Sequence, residues 1–463
     1  MFLALQFFSI NDLVLAPICF FLLWMIVRNR ANNCADPFLK KLYYKGYYFK
    51  IVCVLAFTFV TEFVFHGGDT ALYYQGVKDL RNALNDDFNF AGNIIKTLKL
   101  DIDNPLTPYF YYDNYEHDFT YNYMLSPSNF FVPRLGLIPG YLFFDNYLCI
   151  NMVFGFFAFG GAIRLFKSFY HFFPKYGKEL AVAVIFLPSV GFWSAGLLKD
   201  PICFGSIGYI LYALINIFIK KTNYKSSITW IIICGFMIYH IKVYILLVLI
   251  LAVFIWLFAE TNKLIADRTL RGVFSFFTLS ISMLVGVLML NYFTSQEAAQ
   301  QYKLETLMDK TEYQRKVVED LAANGVALGS NFSINTSNPV ALVVNGLVAT
   351  LFRPFPWEVS SPAMIFSAIE AALFLFLILN FFFRRGFKKF FSTIFNDPRL
   401  LMCFVFTVVF GLAVGASTAN FGALSRYKIP CMPFFAITVL LSYKAVNLPY
   451  PKFLTNIINR VTR

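Results

Sequence analysis

Charge is what this sequence has least of. Charged residues make up 14% of its 463 positions, hydrophobic ones 58%, and the mean hydropathy is +0.62. Soluble globular chains carry about a quarter of their residues charged, so this composition points away from that class. The eight cysteines show no CxxC spacing and no pairing frame; Cys19, Cys53, Cys149, Cys203 and Cys403 stand singly in apolar runs. They read as small core hydrophobes rather than as disulfides or metal ligands. Internal repeats and low-complexity tracts are also missing. The first apolar run, Leu13 to Val27, is preceded by Asp12 instead of a basic segment and has no small-residue cleavage site. It is expected to be a retained helix and not a signal peptide.

What the chain does have is long uncharged runs and 58 Phe. A membrane crossing needs about 20 apolar residues. The net charge of +13 would suit nucleic acid, but Lys and Arg fall into short segments: Arg28 to Lys50, Arg164 to Lys178, Lys220 to Lys225, Lys263 to Arg271, Arg384 to Lys389, and the tail from Lys444. If all of these are cytoplasmic, the apolar runs between them alternate consistently across a membrane, so the positive charge is topological.

The fold expected is therefore an all-α polytopic membrane protein with about eleven crossings. They lie near 11–28, 49–66, 146–166, 179–197, 201–219, 226–240, 243–259, 272–294, 362–383, 400–416 and 427–443. The N-terminus is expected outside the plasma (inner) membrane and the C-terminus in the cytoplasm. Phe130 to Phe144 contains Pro133, Arg134 and Pro139 and suits an interfacial helix. Val340 to Phe352 is short and suits a re-entrant or interfacial segment. The organisation that follows is two helices (1–66), a large extracytoplasmic loop (67–145), six helices (146–294), a second outer loop with a re-entrant segment and a helix expected over Glu305 to Ala323 (295–361), and three helices with a cytoplasmic tail (362–463).

Within this frame, acids and bases on the outer face are the candidates for chemistry. Asp69, in Phe65-His66-Gly67-Gly68-Asp69-Thr70-Ala71-Leu72-Tyr73-Tyr74, emerges directly from an apolar run. A carboxylate pinned there is a functional candidate, although Asp is also a preferred helix cap. A helix N-terminus at Asp69 would favour its ionised form, with Tyr73 at i+4 on the same face. Asp200 lies in a short turn, Leu197-Leu198-Lys199-Asp200-Pro201, and it too can cap the helix that follows. His240-Ile241-Lys242 interrupts an apolar stretch long enough for two crossings. That places Lys242 at the outer surface, either snorkelling to headgroups or binding an anionic substrate. Arg426, Tyr427 and Lys428 stand at the outer entrance of the last helix, against the positive-inside bias. A guanidinium such as that of Arg426 matches phosphate in a bidentate fork. Arg353 and Glu358 lie in the second outer loop as possible acceptor contacts.

Taken together, these pieces resemble the GT-C membrane glycosyltransferases that use polyprenyl-phosphate sugars, in particular the protein mannosyltransferases and aminoarabinose transferases. GGDTALYY is similar to that family's first-loop signature, with Thr70 standing where a second acid is usual. LLKDPICFGSIGYILY resembles its second-loop Asp-Pro, Lys242 falls where a Lys is found between two helices, and RYKIPCMP is similar to its last helix entrance. The resemblance covers about the first 260 residues and the terminal helix.

The resemblance implies an inverting transfer at the outer membrane face, from a polyprenyl-phosphate sugar to an envelope lipid, glycan or protein. Asp69 would be the general base, Asp200 would orient the acceptor or a nearby cation, and Lys242 and Arg426 would stabilise the leaving phosphate, with Tyr73, His240 and Tyr427 lining the substrate site. No cofactor follows from it, and a divalent metal is not implied because two separated carboxylates make a poor octahedral cage. The partners expected are donor, acceptor and membrane lipids, and not nucleic acid. One rival is a surface-polysaccharide polymerase relying on loop arginines, for which Arg81, Arg134, Arg315 and Arg353 are available. A transporter would need ionisable groups in mid-membrane or a repeated half. A non-catalytic envelope scaffold would use both aspartates merely as caps.

Overall fold

The computed structural model describes residues 7–111, 120–262, 339–359, 362–418 and 420–462. Every regular element among the described residues is a helix. Seven helices are long and apolar enough to cross a membrane: Asp12–Asn32, Pro37–Phe65, Tyr147–Phe172, Lys199–Lys220, Tyr224–Glu260, Met364–Arg385 and Pro398–Ser417. The bent pair Phe421–Tyr427 and Met432–Ala445, broken by 69°, makes an eighth if it is one span. Large apolar side chains on the first span, such as Leu13, Phe21, Leu22 and Met25, face outward while Ala16, Cys19, Leu23 and Val27 are buried. A helix apolar on all sides, with its outer side bare, is one solvated by lipid. The chain is a helical, membrane-embedded protein.

The helices used below are α1 (Asp12–Asn32), α2 (Pro37–Val60), α3 (Asp69–Asp86), α4 (Pro127–Leu142), α5 (Tyr147–Phe172), α6 (Lys199–Ile215), α7 (Tyr224–Asn262), α8 (Pro339–Phe352), α9 (Pro362–Arg385), α10 (Pro398–Ser417), α11 (Phe421–Tyr427) and α12 (Met432–Ala445). Their starts follow side-chain chemistry. The Asp36 carboxylate accepts from the N–H groups of Phe38 and Leu39 with Pro37 in the first turn. Asp397 caps Arg399 N–H ahead of α10, and Asn420 caps Gly422 and Ala423 ahead of α11. Each satisfies donors that the first helical turn leaves open. The cysteines behave as expected: all eight are free and seven are buried, Cys34 being half-buried.

The chain divides into two compact units. The first comprises residues up to Phe172 together with Gly191–Lys242. Here α5 and α6 touch backbone to backbone, because a Cβ on Gly161 would lie 2.3 Å from the Gly205 carbonyl oxygen. Small residues permit such an approach where lipid gives apolar side chains no reason to associate. The Leu197 N–H donates to Asn151 Oδ1 at 2.7 Å, so the two helices start level and run parallel. The helix α4, where the sequence predicts an interfacial segment, packs on α3 through the same device. A Cβ on Gly136 or Gly140 would meet the Val77 side chain at 2.7 Å.

The second unit comprises Phe173–Val190 and Val243–Arg463. Within it, the second half of α7, α8, α9, α10, α11 and α12 form the helical body. The helix α8, of 14 residues, lies where a re-entrant or interfacial segment is expected.

Two expected elements differ from what is found. The run 179–197 is not one helix but two short ones, Gly177–Val184 and Pro188–Trp193. Pro188 supplies no N–H and breaks the ladder, while the flanking residues stay buried and apolar, so composition reads the same either way. The helix α2 begins at Pro37, some turns ahead of the expected start, and so carries the basic segment Lys40 to Lys50 on a helix. The runs 226–240 and 243–259 meet, as expected, at a break: the backbone of α7 leaves helical geometry at Lys242 (φ −150°, ψ 78°). The expected crossing 272–294, the helix Glu305–Ala323 and Arg315 lie outside the described residues.

Candidate functional site

Three stretches of the first unit bring acids and bases together. The helix α2 ends in a π-turn, Thr61–Phe65, followed by His66 (φ 50°), Gly67 (φ 124°) and Gly68 (φ 76°). Two of these three left-handed positions are glycine, which carries no Cβ penalty there. The turn delivers Asp69 as the first residue of α3, half-buried. Thr70 points inward, its hydroxyl 2.8 Å from Tyr147 OH. A second acid at that place would be buried against a phenol, which accounts for Thr70 being there.

Asp200 enters by a different route. Helix α6 begins at Lys199, so Asp200 and Pro201 lie inside its first turn. The side chain is buried, and Lys242 Nζ donates to Asp200 Oδ1 at 3.0 Å. The break in α7 frees Lys242 from the helical path and turns it inward. Lys242 is thus 8% exposed and neither snorkels nor lies on the outer surface as expected. Each charge offsets part of the cost of burying the other.

Lys199, which the sequence reading passed over, connects the parts. Its charged neighbours are Lys242, Asp69 and Asp200, and its Nζ donates to Ser128 Oγ at 2.8 Å. Lys199 and Asp69 are half-buried whereas Asp200 and Lys242 are buried. The cluster therefore has a half-buried aspartate and lysine beside a fully buried pair. Next to Ser128 on α4, Asn129 Oδ1 accepts from Tyr73 OH at 3.4 Å, and Tyr73 accepts from Tyr123 OH at 3.1 Å. Tyr73 is 1% exposed, so it builds the wall of the site. His240 stacks on Phe131, ring centroids 5.4 Å apart at 16°, within an aromatic group that includes Phe236. The only signal for Lys199 was its adjacency to Asp200.

The remaining candidates belong to the second unit. Arg426 and Tyr427 are half-buried in the last turn of α11. Lys428 is buried, and its Nζ donates to the Arg353 carbonyl at 3.2 Å. It is thus an internal tie and not the outer cation expected. Arg353 forms an ion pair with Glu358 and lies with its guanidinium 5.0 Å from the Phe421 ring centroid. Burial pushes the Glu358 carboxyl up, but the Arg353 hydrogen bond and the Phe355 N–H outweigh it and hold the carboxyl below its usual value.

Lys50 and Glu370 are buried ionisable groups inside spans that no sequence pattern marks. Lys50, buried in α2, donates to Gly191 O at 3.0 Å and Ser194 Oγ at 2.7 Å. Glu370, buried in α9, accepts from Ser189 Oγ at 2.6 Å and Ser189 N at 3.1 Å. Among the described residues no group of three or more His, Cys, Asp or Glu is placed to hold a metal ion. Comparison with protein-family profiles, with curated proteins and with solved structures finds no match to this chain.

Proposed function

We propose that this chain is an integral membrane glycosyltransferase. It moves a sugar from a polyprenyl-phosphate donor to an envelope lipid, glycan or protein at the outer face of the plasma membrane. The observation that carries the reading is the gathering of Asp69, Lys199, Asp200 and Lys242 from three separate stretches of chain, with Asp69 and Lys199 half-buried and Asp200 and Lys242 buried. Such a site needs a base for the acceptor's proton and a cation for the phosphate that leaves. Asp69 serves as the base, its ionised form favoured by the start of α3. Lys199 carries the phosphate. The Asp200–Lys242 pair fixes the start of α6 and with it Lys199. Phosphate is a good leaving group and asks for no general acid.

The topology proposed keeps the alternation of basic segments, with the N-terminus outside and the C-terminus in the cytoplasm. Because α5 and α6 run parallel, the chain between them must return over their length. That return is made by two short helices rather than one. A division of α7 at Lys242 is supported by its length, since at about 1.5 Å per residue its 39 residues would span roughly 58 Å against about 30 Å of hydrocarbon. On this reading the crossings still number about eleven.

The polymerase alternative relies on loop arginines, and those among the described residues are engaged: Arg81 with Asp145, Arg353 with Glu358, and Arg134 with the carbonyls of Ile95 and Thr97. Lys50 and Glu370 are among the buried ionisable groups a transporter reading would use; Lys50 bonds Gly191 and Ser194 and Glu370 bonds Ser189, all at breaks in helical structure, and Glu370 also has Lys428 as a charged neighbour.

The test is Asp69→Asn, which keeps the side chain's size but cannot take a proton. The variant is expected to fold and bind a prenyl-phosphate sugar while losing transfer by at least about a hundredfold. Near-normal transfer by the purified variant would overturn the assignment.

A further inference from the structure

The first unit contains a cavity of about 510 Å³ that the proposed transfer does not use. Arg30, Tyr43, Arg164, Lys167, Tyr209 and Trp230 contribute to its wall, and no carboxylate does. It sits where α1 and α5 end, α2 and α7 begin, and α6 passes into its terminal π-turn, Asn216–Lys220. Asp200, Tyr209 and Asn216 lie on that one continuous helix, so at about 1.5 Å per residue the cavity's lining runs from roughly 14 Å to roughly 24 Å from Asp200. It is the other end of the unit.

Basic residues at helix ends are ordinary membrane topology, but these are built into a wall. The Arg164 guanidinium lies 4.0 Å from the Tyr209 ring centroid and 5.7 Å from that of Trp230. It donates to Gly160 O at 3.1 Å. A planar group with five N–H donors, stacked in one orientation, keeps an edge for a second oxygen ligand. Lys167 is held the same way, its Nζ donating to Tyr43 OH at 2.9 Å. Tyr43, Tyr209, Asn216 and Ser227 are all buried. Ile26, half-exposed on the lipid side of α1, and Val27 extend the lining as apolar surface.

We infer that this cavity is a binding site for a phosphate-bearing ligand, the phosphate held by Arg164 and Lys167 with Arg30 at the rim. Phosphate is the anion whose oxygens match a guanidinium edge and an ammonium together. It can come from a lipid headgroup, whose chains would follow Ile26 and Val27, or from a free phosphate. The inference stands whether or not the transferase reading does.

The experiment uses the full chain in nanodiscs of phosphatidylcholine, titrated by calorimetry with dihexanoyl phosphatidic acid, inorganic phosphate and uncharged dihexanoylglycerol. Saturable one-site binding of a phosphate probe is expected, with no binding of the uncharged one. Phosphatidic acid binding at least tenfold tighter than inorganic phosphate identifies a lipid, and equal binding identifies a free phosphate. Arg164→Gln and Lys167→Gln are each expected to weaken the binding at least tenfold, and Arg164→Lys to weaken it less than Arg164→Gln. If the unaltered protein binds neither phosphate probe saturably, or if both Gln variants bind as it does, the inference is wrong. The first of these outcomes does not depend on any variant folding.

Discussion

Lys242 reaches Asp200 through a break in its own helix. The two meet at 3.0 Å with side chains 9% and 1% exposed. Removing one partner strands the other charge, which typically costs about 3 to 5 kcal/mol. Lys242→Met is therefore expected to lower the thermal stability of the detergent-solubilised protein strongly, and Asp200→Asn combined with Lys242→Met to recover much of the loss. Equal or additive losses would mean the pair is not coupled. It also follows that Lys242→Ala is a test of folding before it is a test of phosphate binding.

Lys199 is the better probe of the leaving group. Lys199→Gln is expected to weaken binding of a polyprenyl-phosphate by about 1.5 to 3 kcal/mol, the range for a charge-assisted contact. Ser128→Ala removes only the hydroxyl that Lys199 bonds and should cost less. Donor affinity unchanged in both would remove Lys199 from the site.

Topology is open to labelling in a background without native cysteines. Single Cys residues replacing the exposed Asn85 or Trp357 are expected to react with a membrane-impermeant thiol reagent in intact cells, and one replacing the exposed Asn223 is not. Ser425 is buried and would be silent from either side. Reaction of Asn223→Cys from outside would invert every assignment of sidedness.

The Arg353–Glu358 pair predicts a pH effect. The Glu358 carboxyl is held below its usual value in the folded chain. Its contribution to stability is therefore full above the ordinary glutamate range and is lost as pH falls through the depressed folded value. The difference in melting temperature between the protein and Glu358→Gln should be present near neutral pH and shrink under acid conditions. A difference that grows on acidification would contradict the sign.

How much of this could be read from the sequence depended on what each residue type can mean alone. The starts of α1, α5 and α10 fall within two residues of where hydropathy places them, because Asp12, the polar Asn146 and Asp397-Pro398 mark them. The broken run at Pro188 was illegible, since a buried pair of short helices is as apolar as a crossing. Lys50 was counted with a cytoplasmic basic segment, and only the position of Gly191 and Ser194 shows that it is internal. The cluster was half legible: Asp69, Asp200 and Lys242 stand out as charges beside apolar runs. That Asp200 and Lys242 would be buried against each other, with Lys199 beside them, is a fact of packing with no sequence pattern behind it.

The contact made by Lys50 has a consequence in time. Lys50 and Gly191 are 141 residues apart, and at about 5 to 20 residues per second the ribosome needs roughly 7 to 30 s to produce the second after the first. Throughout that interval the nascent α2 carries an amino group whose acceptors do not yet exist. Early intermediates are therefore expected to keep Lys50 within reach of water and to draw α2 to its final depth only after Ser194 has been made. Arrested chains ending before Gly191 would then show a Lys50→Cys thiol open to alkylation that closes in longer ones, and equal protection at both lengths would refute this order of assembly.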